Sequence, residues 1–146
     1  MLKYLHHVHY IVRNRDIIVA YMERNFWLKP ESLEQRESGL GKGNRDATFR
    51  VGQTLIDITE PTDPTTPHGQ WLAQHGPGVW HVAWAVDDID SLAKRLVAQG
   101  SRLLGGPVGF SEGNEGVTIS HWGYKHTNID PEDSAGILFQ LIEETN

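Results

Sequence analysis

The chain has 146 residues, enough for one domain of ordinary size or two small halves sharing a core, and for burying roughly two thirds of its unfolded surface. It contains no cysteine, which excludes disulfides, thiolate ligands and cysteine nucleophiles and leaves histidine, carboxylate and amide oxygen as metal-ligand chemistry. A net charge of -6 without a basic cluster argues against nucleic acid, and the polar interruptions of MLKYLHHVHYIV leave neither a signal peptide nor a membrane span, so a cytoplasmic protein with a small-molecule partner is expected.

In chain order, YLHHVHYIVRNRD reads as a strand feeding a helix that places Ile18, Tyr21, Met22 and Asn25 at helical spacing. Strands are expected at 33–39 and 46–51, and LIDITE at 55–60 closes the segment. PTDPTTPHGQWLAQHGPG is a connector around a short helix-like GQWLAQH. GVWHVAWAVDDID at 78–90 repeats the opening strand, and Ile89, Leu92, Ala93, Leu96 and Val97 mark a second helix that Gly100 stops. Strands at 102–104 and 117–128 follow, and LFQLIE at 138–143 ends the pattern.

The chain is thus written twice. Setting His7 on His81 brings Val8 onto Val82, Tyr10 onto Trp84, Val12 onto Val86 and Asp16 onto Asp90. Setting Asp57 on Gln140 brings Leu55 onto Leu138 and Glu60 onto Glu143, and GGPVGFSEGNEG at 105–116 absorbs the extra length of the second half. Each half reads β-α-β-β-β. The expectation is one α+β domain over residues 1–146, with module 1 at 1–61, a linker at 62–77 and module 2 at 78–146.

Strand alternation puts His7 and His9 on one face, and Asp57 on the face of Leu55 and Thr59. If the halves pack about a pseudo-twofold axis, His7, Asp57, His81 and Gln140 occupy equivalent positions and can converge. Two imidazoles, one carboxylate and one amide oxygen make an octahedral ligand set with two places left open. An Asp inside an apolar strand supports this, because burying it unpaired costs several kcal/mol. His9, one strand step beyond His7, and Glu37, near the end of the second strand, are candidates for proton transfer. His68, Trp71, His75, His121 and His126 have no spacing that assigns them a role.

LHHVHYIVRNRD, TLIDITEP, GVWHVAWAVDDID and DPEDSAGILFQLIE, taken in order, resemble the vicinal oxygen chelate superfamily, which includes glyoxalase I, methylmalonyl-CoA epimerase, extradiol dioxygenases and bleomycin-resistance proteins. The resemblance implies two pseudo-symmetric βαβββ modules whose curved mixed sheet encloses one divalent metal ion (Zn, Co, Ni, Mn or Fe). Its ligand positions fall on His7, Asp57, His81 and Gln140. The linker and the strand after it are most similar to the epimerase branch, whose base lies in the region of Glu37. Asp57 stands where Glu or Gln is usual and Gln140 where Glu is usual, so the carboxylate has changed sides. A shorter Asp must draw the ion closer or bind it through water.

A metal with two open positions makes a bound carbonyl a stronger carbon acid by stabilising the enolate. The expected activity is therefore a metal-dependent epimerase, isomerase or lyase on a carbonyl compound or acyl thioester, with a homodimer implied by the resemblance. Two alternatives stay open: an extradiol-type dioxygenase acting on a catechol, and a non-catalytic binding protein of the resistance type.

Overall fold

A computed structural model describes residues 1–36, 42–104, 116–119 and 123–144. The expected α+β class holds, with nine strands and three α-helices among the described residues. None of these helices is long and apolar enough to cross a membrane. Contacts divide the chain into two units, His7–Trp80 and Met1–His6 with His81–Asn146. Two strands contribute to both, β1 (Leu2–Ile11) and β5 (Gly78–Val86).

In the His7–Trp80 unit, β1 is followed by α1 (Arg15–Phe26), β2 (Ser32–Arg36), β3 (Asn44–Val51), β4 (Thr54–Pro61) and α2 (Pro67–His75). β1 runs parallel to β4, β3 antiparallel to β4, and β2 antiparallel to β3. Asn14 caps α1, its Oδ1 accepting from the Ile17 N–H at 3.1 Å. Glu60 reaches from β4 to accept the Arg15 backbone N–H at 2.8 Å, satisfying a second orphan donor of the first turn. Trp27 ends the helix in the left-handed region at φ 52°, returning its N–H to the Glu23 carbonyl at 3.0 Å. One face of the sheet buries Ala47, Phe49 and Ile58 against Ile18, Val19 and Met22 of α1. Tyr21, expected among the helix's apolar positions, is instead 46% exposed.

In the second unit, β5 leads into α3 (Ile89–Ala98), β6 (Leu103–Leu104), β7 (Thr118–Ile119), β8 (Lys125–Ile129), a 3-10 turn at Pro131–Asp133 and β9 (Phe139–Glu143). β5 is parallel to β9, while β8 is antiparallel to β9, β6 and β7. The single strand expected at 117–128 is in fact the antiparallel pair β7 and β8. Gly123 lies between them at φ 85°, a conformation that a β-branched strand residue would resist. Asp88 caps α3 through the Ser91 N–H, and Glu143 accepts the Ile89 N–H at 2.7 Å. That bond reproduces Glu60 on Arg15, so the glutamate near the end of each closing strand fastens the helix of its own module. Gly100 stops α3 at φ 95°, as its position predicts. Val86, Ile89 and Leu141 form the core, with Trp84, Leu92, Leu96 and Ile129 packed on it.

Candidate functional site

Strand register builds one polar face in the His7–Trp80 unit. His9 pairs with Asp57 across β1 and β4, Thr48 with Asp57 and Asp46 with Thr59 across β3 and β4, and Glu34 with Asp46 across β2 and β3. Because directly opposed residues project to the same side, His7, His9, Asp57, Thr59, Thr48, Asp46 and Glu34 share a face. The alternate residues Ala47, Phe49 and Ile58 take the other face and make the core.

The His7 Nε2 lies 3.9 Å from Asp57 Oδ2, and Thr48 donates its hydroxyl to Asp57 Oδ1 at 3.0 Å. Two donors each about 2.1 Å from one ion are separated by about 3 to 4 Å, so the His7–Asp57 pair can span a cation. Burial pushes the Asp57 carboxyl up to about 6; Thr48 opposes the rise, and the charges of Asp46 and Glu34 add to it. An imidazole pair facing several carboxylates under these conditions is the donor set a divalent ion would relieve. Among the described residues, no three His, Asp or Glu side chains are gathered closely enough to form a ready-made cage.

In the second unit, Ala83 pairs with Gln140, as His9 pairs with Asp57 in the first, and Asn128 pairs with Gln140, as Thr48 does with Asp57. His81 precedes Ala83 by two residues and so lies on the Gln140 face. Both His81 and Gln140 are 9% exposed. Each unit therefore presents one histidine of β1 or β5 and one oxygen donor of β4 or β9 at matched register. His126 is on the Gln140 face too, with its Nδ1 buried and without a hydrogen-bond partner among the described residues. Glu37 lies outside the described residues, as do His121 and the glycine-rich 105–115 segment.

Several contributors were not assigned from the sequence. Asp46 and Thr59 are joined by a hydrogen bond of 2.6 Å from the Thr59 hydroxyl, and His9 Nε2 meets the same hydroxyl at 2.7 Å. His68, from α2, sets its ring edge-on to His9 with centroids 5.5 Å apart and is held through Nδ1 by the Asn44 amide at 3.1 Å. Trp80 packs edge-on to both His68 and Trp71. Burial lowers His9 well below the usual histidine value, helped by His68 and His7, and lowers His68 to about 4. Both rings are neutral at pH 7. The signal available in the sequence was the alternation in NRDATFRV, which puts Asp46 and Thr48 opposite Ala47 and Phe49. A separate cleft of about 220 Å³ in this unit, lined by Arg13, Pro61, Pro64, Gly69, Leu72 and Ala73, includes none of the candidate site residues.

Comparison with known proteins agrees with this fold. The model of the glyoxalase/bleomycin resistance protein/dioxygenase superfamily matches residues 6–120. Methylmalonyl-CoA epimerase from Mycobacterium tuberculosis is 24% identical with a TM-score of 0.79, over 99% of this chain and 90% of that one. A Streptomyces coelicolor methylmalonyl-CoA epimerase variant in complex with 2-nitronate-propionyl-CoA is 23% identical, TM-score 0.79, over 99% and 96%. A hypothetical protein from Bacillus halodurans is 19% identical, TM-score 0.79, over 98% and 95%. The fold is thus that of the vicinal oxygen chelate proteins, and the chain belongs to the glyoxalase/bleomycin resistance protein/dioxygenase superfamily.

Proposed function

We propose that the protein is a metal-dependent epimerase that removes and returns the proton α to the carbonyl of an acyl thioester, with a coenzyme A ester as the substrate class. The observation that carries this reading is the polar face of β1, β3 and β4, where His7 and Asp57 stand 3.9 Å apart beside the Asp46 carboxylate. The likeness in fold to epimerases solved with coenzyme A esters supports the substrate class.

The proposed metal ligands are His7, Asp57, His81 and Gln140, chosen because they hold equivalent register positions in the two units. When bound, the ion would polarise the thioester carbonyl and stabilise the negative charge left on its oxygen by proton loss. His7 supplies a buried ring nitrogen, and Thr48 holds Asp57 in place by its hydroxyl. Among the described residues, the proton-transfer role falls to Asp46, one strand pair from Asp57 on the same face. It accepts the α proton onto a carboxylate oxygen, leaving the electron pair delocalised into the carbonyl. A proton delivered from solvent to the opposite face of that carbon completes inversion, and Asp46 releases the proton it took to solvent. Acid–base groups placed in this way are worth about 10² to 10⁴ in rate.

The test is turnover of one methylmalonyl-CoA epimer into the other before and after chelation. Activity is expected to vanish with chelator and return on adding Co(II) or Mn(II). Full turnover by chelated protein holding no metal would refute the reading.

A further inference from the structure

We infer that Thr59 and His9 form a positioning chain for the Asp46 carboxylate, an inference that rests on the proton-transfer role proposed for Asp46. The geometry assigns the proton on each atom. The Thr59 hydroxyl has a single hydrogen and directs it to Asp46 Oδ1 at 2.6 Å. The contact of 2.7 Å between Thr59 Oγ1 and His9 Nε2 must therefore be filled by the imidazole's hydrogen, which fixes His9 as the Nε2–H tautomer. Donation runs one way, from His9 to Thr59 to Asp46. Each bond polarises the next, and the chain ends on a carboxylate oxygen, which accepts most strongly while the group is ionised.

Neighbouring groups support this direction. His68 lies edge-on to the His9 ring, and Asn44 fixes His68 in turn, so the first donor in the chain is itself braced. Thr59 is 3% exposed, so water does not compete readily for its hydroxyl. Because His9 already carries hydrogen on Nε2, it cannot take a proton passed from Asp46 through Thr59. The chain therefore orients the carboxylate and holds it ready to accept, and is not a conduit for the substrate's proton. His9 thereby acquires a role distinct from that of His7, two residues away on the same strand.

The experiment measures kcat and KM for methylmalonyl-CoA, with metal content, for Asp46→Asn, Thr59→Val, Thr59→Ser, His9→Phe and the Thr59→Val/His9→Phe pair. Losing a hydrogen bond to a charged acceptor should lower kcat about tenfold in Thr59→Val with KM and metal content near wild type. Thr59→Ser, which keeps the hydroxyl, should recover most of that loss. His9→Phe should be slowed as well, and the double variant should be no slower than Thr59→Val, because both act through one chain. Wild-type kcat in Thr59→Val alongside an inactive Asp46→Asn would overturn the chain and leave the proposed reaction standing. Wild-type kcat in Asp46→Asn would overturn the proton-transfer role itself, and the chain with it.

Discussion

Replacing Asp57 by asparagine should stabilise the metal-free protein while removing its metal. The carboxyl is raised from 3.8 to about 6, chiefly by burial, so the fold disfavours the charged form. At about 1.4 kcal/mol per pH unit this corresponds to about 3 kcal/mol, and the 29% exposure of the side chain reduces it through solvent screening to about 2 kcal/mol. Asparagine is isosteric, and its amide oxygen can still accept the Thr48 hydroxyl, so packing changes little. For a chain of this length, about 2 kcal/mol raises Tm by roughly 4 to 8 °C. The sign depends on pH. Above pH 6 the folded wild type carries the full penalty and the variant its full advantage. As pH falls through 6 toward 3.8, folded Asp57 binds a proton before the unfolded chain does, the penalty disappears, and the advantage shrinks to nothing. The assay is urea unfolding of chelated wild-type and Asp57→Asn proteins at pH 4, 5.5 and 7.5. Lower stability of the variant at pH 7.5, or an advantage independent of pH, would show that Asp57 is not held at an energetic cost in the absence of a cation.

Other outcomes follow from the same structure. Divalent metal should raise the Tm of wild type and leave that of Asp57→Asn unchanged, since only the native site gains free energy from occupancy; thermal scans with and without chelator report this. Between pH 6.5 and about 4 the unfolded chain protonates His68 before the folded one does, so stability should fall with falling pH by up to about 1.4 kcal/mol per unit, and His68→Phe should flatten that slope in a pH series of denaturation curves. Glu143→Ala, which frees the Ile89 N–H, should cost about 1 to 2 kcal/mol by urea unfolding. Gly69→Ala should cost more, because its Cβ would lie 2.3 Å from the Asp63 carbonyl oxygen and 2.7 Å from Pro64 Cα; an unchanged Tm would show that the chain before α2 can move aside.

Much of the fold was legible because the duplicated pattern carries its own register. The pairing of His7 with His81 and of Asp57 with Gln140 recurs as His9 opposite Asp57 and Ala83 opposite Gln140. The repeated terminal glutamate proved to be a helix fastener in both units, a contact between residues 45 and 54 positions apart that no local window reveals. Asp46 was harder to read. The expected strand began at 46, leaving Asp46 at its margin, whereas β3 begins at Asn44 and pairs Arg45 with Glu60. That longer pairing, sealed by the ion pair of Arg45 with Glu60 at 3.0 Å, carries Asp46 onto the face of Thr59. His68 was unassignable for a similar reason: its position depends on how α2 folds back toward β1, a nonlocal event. In the second half, residues 117–128 look like one strand, whereas Gly123, between β7 and β8, takes a left-handed conformation.

Abstraction of an α proton is the step on which the proposed reaction stands, and proton NMR of methylmalonyl-CoA in deuterated buffer with metal-loaded protein observes it. The α-proton signal should disappear as deuterium replaces it, at a rate at least about 100-fold lower with Asp46→Asn. An α-proton signal that persists while the epimers interconvert, or exchange as fast in Asp46→Asn as in wild type, would contradict it.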